Sequence, residues 1–121
     1  MRPLIASGLN SFLQRFDNFR GGEIRSIEII SATIITITLV GQDSARAFDW
    51  VSVTLEFSSV IDAKVIENSK LSFIDMQSGI SIINTGTLFA FAIDECSTIS
   101  NIKSSACFVV CSDLKYKEGA F

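Results

Sequence analysis

The sequence predicts a mainly β fold of the α+β kind, with one N-terminal helix packed on an antiparallel sheet or sandwich of about eight short strands. Three observations predict it. Apolar residues recur every three to four positions near the N-terminus, then every two after Gly21-Gly22. Branched and aromatic side chains abound, with 17 Ile and 10 Phe among 121 residues, and these suit a pleated, half-buried surface. The connections between apolar runs are short, which favours antiparallel hairpins over crossovers.

The elements follow in order. Leu4, Ile5, Leu9, Phe12, Leu13, Phe16 and Phe19 form one apolar face of a helix over residues 4–19. Pro3 suits the first helical turn, and "RGG" at 20–22 stops the helix, because glycine readily takes the left-handed cap conformation. "EIRSIEII" and "TIITITLV" read as the first two strands, joined by "GQDSARAF" to "DWVSVTLEF". That strand alternates cleanly: Val51, Val53, Leu55 and Phe57 face inward, and Trp50, Ser52, Thr54 and Glu56 face outward. "DAKVIE", "KLSFIDM", "GISII", "TLFAFAI" and "ACFVVCS" complete an antiparallel β region over residues 23–113. With "NTGT" as a four-residue loop, Ile83 pairs with Leu88, Ile82 faces Phe89, Ile80 faces Phe91 and Ser81 faces Ala90.

Residues 1–121 read as a single domain, without repeat or linker. At 48% apolar and 19% charged, the chain can build a core without disulfide or metal. Gln14, Arg15 and Asp17 interrupt the N-terminus too early for a signal h-region. Met76 to Ile93 is uncharged for 18 residues, but its turn signals make it a hairpin rather than a membrane span. The expected location is cytoplasmic, where cysteines stay reduced.

The chemistry is narrowed by what residue types are present. There is no histidine, which removes Ser-His and Cys-His nucleophile activation and His-ligated metals. Cys107 and Cys111 lie four apart. On a strand they share a face with Cα atoms about 13 Å apart, too far for a disulfide or for two ligands of one zinc ion. They read as core thiols, and whether Cys96 approaches either of them is open. Gly21-Gly22 follows a helix and matches no phosphate loop. No cofactor, no metal and no catalytic residue is expected.

The net charge is −3. Residues 1–25 carry Arg2, Arg15, Arg20 and Arg25 against Asp17 and Glu23, a balance of +2, and the remainder carries −5. An acidic body argues against general nucleic-acid binding, which needs clustered Lys and Arg. It would suit a basic partner, although such a charge also serves solubility. Asp43, Asp49, Asp94 and Glu95 sit at turns and strand ends and form the candidate partner-binding patch. Trp50, on the polar face of its strand, is either an exposed anchor or a second-layer core residue.

The stretch "QDSARAFDWVSVTLEFSSVIDAKVIENSKLSFIDMQSGISII" and the ending "LKYKEGAF" resemble a group of small uncharacterised bacterial proteins. Some of that group resemble immunity proteins of toxin–immunity systems. The resemblance spans roughly residues 21–121 and is one of packing pattern, so no binding residue transfers. It implies a cytoplasmic, non-enzymatic role; taken with the acidic body, the expected function is a protein-binding domain that neutralises a toxin, with a basic toxin domain as partner and neither nucleic acid nor membrane involved. The alternatives are a self-assembling structural subunit, such as a homodimer through a sheet edge, and a small-ligand-binding domain or carboxylate-based enzyme.

Overall fold

A computed structural model describes residues 1–121. Its order of elements is β1 (Arg2–Pro3), α1 (Ala6–Arg15), a left-handed turn (Asp17–Phe19), β2 (Glu23–Ser31), β3 (Ile34–Asp43), β4 (Asp49–Lys64), a 3-10 helix (Asn68–Phe73), β5 (Ser81–Thr85), β6 (Leu88–Ala92), α2 (Ile99–Lys103) and β7 (Phe108–Gly119). One antiparallel helix-backed sheet results. Its strand order is β2-β3-β4-β7-β6-β5, and β1 pairs with β7. The alternative of a two-sheet sandwich is therefore excluded.

The alternation seen in the sequence places the core. Val51, Val53, Leu55 and Phe57 of β4 are buried on one face, beside Ile35, Ile37 and Leu39 of β3. Onto this face α1 lays Leu9 and Phe12, continued by Phe16 and Phe19. Phe16 and Phe19 stack with ring centroids 4.9 Å apart, and Phe12 meets Tyr116 at 4.9 Å. The opposite face is split. Near α2 it is apolar, with Ala90, Ala92, Phe108 and Val110 packed on Ile102. Elsewhere it is polar, and Thr38 and Thr54 share a hydrogen bond of 3.0 Å across β3 and β4.

A crease separates these two parts. Phe57 and Val60 both point into the core region on β4, as do Cys111 and Leu114 on β7, so each strand changes parity while its register holds. Ser59 takes a positive φ of 53°, and a bulge follows between Val60 and Asp62. Such irregularities bend and twist a sheet. This bend lets one sheet curve around α1.

Several expected boundaries are corrected. The helix ends at Arg15, because Asp17, Asn18 and Phe19 turn left-handed with φ of 51°, 53° and 58°. That turn swings Phe19 inward over Gly41, where a Cβ would lie 2.7 Å from the Phe19 ring. "DAK" is the end of β4 and not a separate strand. "KLSFIDM" lies in the 3-10 helix and the coil after it. Its buried residues, Leu71 and Met76, are five apart, which no strand period provides, and Phe73 is 84% exposed. β7 runs on to Gly119, six residues past the expected limit of 113. The β5–β6 hairpin closes on Gly86-Thr87 alone, with Thr85 opposite Leu88, Ile82 opposite Phe91 and Ser81 opposite Ala92. Gly86 takes the positive φ (71°) that a two-residue loop of this kind requires. The partners thus move by two positions from those expected, so the face each side chain occupies is unchanged. The helix α2 had no counterpart in the sequence reading. Its N-cap is Thr98, which accepts from the Asn101 amide. No helix is long and apolar enough to cross a membrane.

Candidate functional site

The ends of β3, β4 and β7 meet beneath the C-terminus of α1, and the densest polar cluster lies there. Asp43, the last residue of β3, is fully buried. Arg15, the last residue of α1, donates from Nε at 2.8 Å and from Nη2 at 2.6 Å to its two carboxylate oxygens. The Ala45 amide donates to the same carboxylate at 2.9 Å. Arg15 also donates to both oxygens of Glu118 on β7. Arg46 stands farther off, 3.6 Å from Asp43 and 3.8 Å from Glu118.

The electrostatics follow from this packing. The hydrogen bonds from Arg15 hold the Asp43 carboxyl below its usual range, against the opposing effect of burial. The same contacts raise Arg15. This bridge fastens helix to sheet, and its charges are consumed internally. Asp43 is thus corrected as a surface residue: the turn that makes Asp common there also points its carboxylate at Arg15, under the helix. Every buried side-chain polar atom has a hydrogen-bond partner.

On the other side of the same strand end, aromatic groups are exposed. Trp50 is 43% exposed and packs at 6.2 Å on Phe121, itself 64% exposed. The two alternatives for Trp50 resolve to the exposed one. Phe48 is 63% exposed. It and Ala47 are left-handed, with φ of 64° and 54°, an unfavourable backbone for a bulky side chain. Arg25 lies over the Phe121 ring at 5.1 Å and donates to the Phe121 carbonyl at 2.8 Å. Asp49 is exposed beside Trp50 and forms no ion pair.

Asp94 and Glu95 are also exposed but lie elsewhere. They follow β6, whose last residue, Ala92, lies opposite Phe108, and Phe108 lies opposite Lys64 at the far end of β4. Asp49 begins β4. The strand between spans roughly 50 Å when straight, so the four acids do not form one patch. The Asp94–Glu95 turn is closed locally: Ser81 donates to the Asp94 carbonyl at 2.7 Å, and its hydroxyl accepts from the Cys96 amide at 2.8 Å.

All three cysteines are free thiols. Cys107 and Cys111 lie in the main core, where burial pushes them up to about 11 and about 12. Cys96 is half-buried and packs against the smaller cluster under α2. It approaches neither of the others closely enough to bond. No group of three or more Cys, Asp or Glu side chains converges as a metal ion would need.

The sequence reading missed Arg15, Arg46, Glu118, Phe48 and Phe121 as members of this end. They come from three separate segments, the end of α1, the connection between β3 and β4 and the end of β7, and only the tertiary fold joins them. The fold and the site together define a class: a small antiparallel single-sheet domain with a helix on one face and an ion-paired, aromatic strand end. No protein family, curated protein or solved structure matches the chain.

Proposed function

We propose that this chain is a non-catalytic binding domain whose partner is another protein, of the immunity type that its strand pattern resembles. The observation that carries the reading is the exposed aromatic ridge of Trp50 packed on Phe121, with exposed Phe48 two residues before Trp50 in the chain. Aromatic and arginine side chains dominate the energetics of protein interfaces, and Arg25 and Arg46 flank these rings. Trp50 stands on a strand and is backed by Phe121, so little conformational entropy remains to be lost on binding. The left-handed backbone at Ala47 and Phe48 supports the same reading, because strain of this kind gathers at functional surfaces. Asp49 adjoins the ridge, while Asp94 and Glu95 lie outside it.

The test is affinity capture from the native organism with the wild type and with Trp50→Ala. A true partner is retained by the wild type and at least about tenfold weaker on the variant. Co-expression of that partner without this protein should arrest growth, and co-expression with it should restore growth. Identical capture by both proteins would overturn the role of the ridge. A captured partner that is harmless in cells would remove the immunity reading.

A further inference from the structure

Charge is unevenly distributed over the molecule. Arg2, Arg15, Arg25, Arg46 and Lys117 gather at the Trp50 end with Glu23, Asp43, Asp49 and Glu118, a balance of +1. The rest of the chain carries −4. Pairing sharpens the contrast. Arg15 takes up both oxygens of Asp43 and both of Glu118, and Arg25 holds Glu23 at 3.5 Å. Arg46 is left with ion pairs too long to be hydrogen bonds. Arg2 and Lys117 are exposed and have no ion pair. Two shallow clefts adjoin here. One, of about 520 Å³, is walled by Trp50 and Phe121. The other, of about 400 Å³, is walled by Arg2, Tyr116 and Lys117, and Arg46 borders both.

We infer that the Trp50 end docks an acidic segment of a protein partner, one that carries an aromatic or aliphatic side chain among its carboxylates. The inference rests on the protein-binding reading above and adds the sign of the docking segment, which is opposite to the basic partner that the net charge suggests. The apolar side chain enters the cleft that Trp50 and Phe121 border. The carboxylates reach Arg46, Arg2 and Lys117, whose donors are not already used. Glu118 borders both clefts, but its charge is neutralised by Arg15. Asp49 is then the one unpaired side-chain carboxylate lining the cleft, so removing it should help the ligand.

The probe is a short synthetic peptide of glutamates flanking a phenylalanine, titrated into the whole protein and followed by NMR at the Trp50 indole N–H and the Arg46 Nε–H. Saturable shifts at both are expected, weakening as salt is raised. Arg46→Glu should weaken the peptide by about tenfold or more, and Asp49→Asn should tighten it. Lys117→Glu, which disturbs no ion pair, serves should Arg46→Glu perturb the fold. Equal binding of a glutamine-for-glutamate peptide, an unmoved Trp50 signal, or the same shifts with inorganic phosphate alone would overturn the inference. With a captured partner in hand, binding lost in Trp50→Ala but kept in both charge reversals would leave the protein-binding reading standing and remove the acidic partner.

Discussion

Asp43 shows how one residue can read as surface and serve as structure. Turn chemistry favours Asp at the end of β3, and the carboxylate does bond its own turn through the Ala45 amide. The turn also aims it beneath α1, where Arg15 covers it. A buried ion pair adds little net stability over an apolar pair, yet removing one partner is costly because the other charge is stranded. Arg15 would keep Glu118, so Asp43→Asn should cost about 1.5–3 kcal/mol. The pH dependence has a definite sign. The folded carboxyl titrates below its unfolded value, so its stabilisation is complete above about pH 4. It is lost as pH falls through the folded value. Urea midpoints measured from neutral to acid pH should therefore fall less steeply for Asp43→Asn than for the wild type. Parallel acid limbs would assign the acid sensitivity to other carboxylates.

At the scale of elements, one edge of the sheet, β2, is covered by a short irregular segment, the 3-10 helix at Asn68. The Asn68 side chain pairs with β2 as a strand would: it accepts from the Ile27 amide at 2.8 Å and donates to the Ile27 carbonyl at 3.0 Å. Just before β5, the Ile80 amide donates to the Asn18 carbonyl at 2.8 Å and ties that end of the sheet to the turn after α1. Gly79 makes that approach possible, because a Cβ there would collide with the same carbonyl oxygen. An open edge invites pairing with other chains, and Asn68 occupies the β2 edge at Ile27. Asn68→Ala should cost about 1–3 kcal/mol for the two lost bonds. Amide exchange should speed selectively at Ile27, and aggregation on storage should rise. Unchanged exchange at Ile27 would show that solvent already competes for that edge.

At the scale of the molecule, the last strand in sequence is the centre of the sheet. β7 pairs with β4 along one side and with β6 and then β1 along the other. The core therefore cannot close until residues 108–119 are in place. Contacts so distant in sequence slow folding, since loop entropy is lost before they form. Deleting residues 108–121 leaves β4 and β6 without their common neighbour. The expected product has no cooperative melting transition. A sharp transition in that truncated chain would mean that β2–β4 and α1 fold alone.

Period and side-chain type were sufficient for the class of fold, the inward face of β4 and the burial of Cys107 and Cys111. Each of these depends on local alternation, which a single strand already carries. The hairpin at 80–93 was legible in face but not in register, because a two-position slip preserves parity and only the demands of Gly86 distinguish the loops. The left-handed turn after α1, the 3-10 helix at Asn68 and the extension of β7 to Gly119 were not legible, since each is stabilised by partners far away in sequence. The same holds for the candidate site. Trp50 and Asp49 announced themselves as residue types at a strand start. That Asp43 turns inward to Arg15, that Asp94 and Glu95 lie near the far end of β4, and that Phe121 and Arg46 join Trp50 were decided only when strand pairing and helix packing brought three distant segments to one strand end.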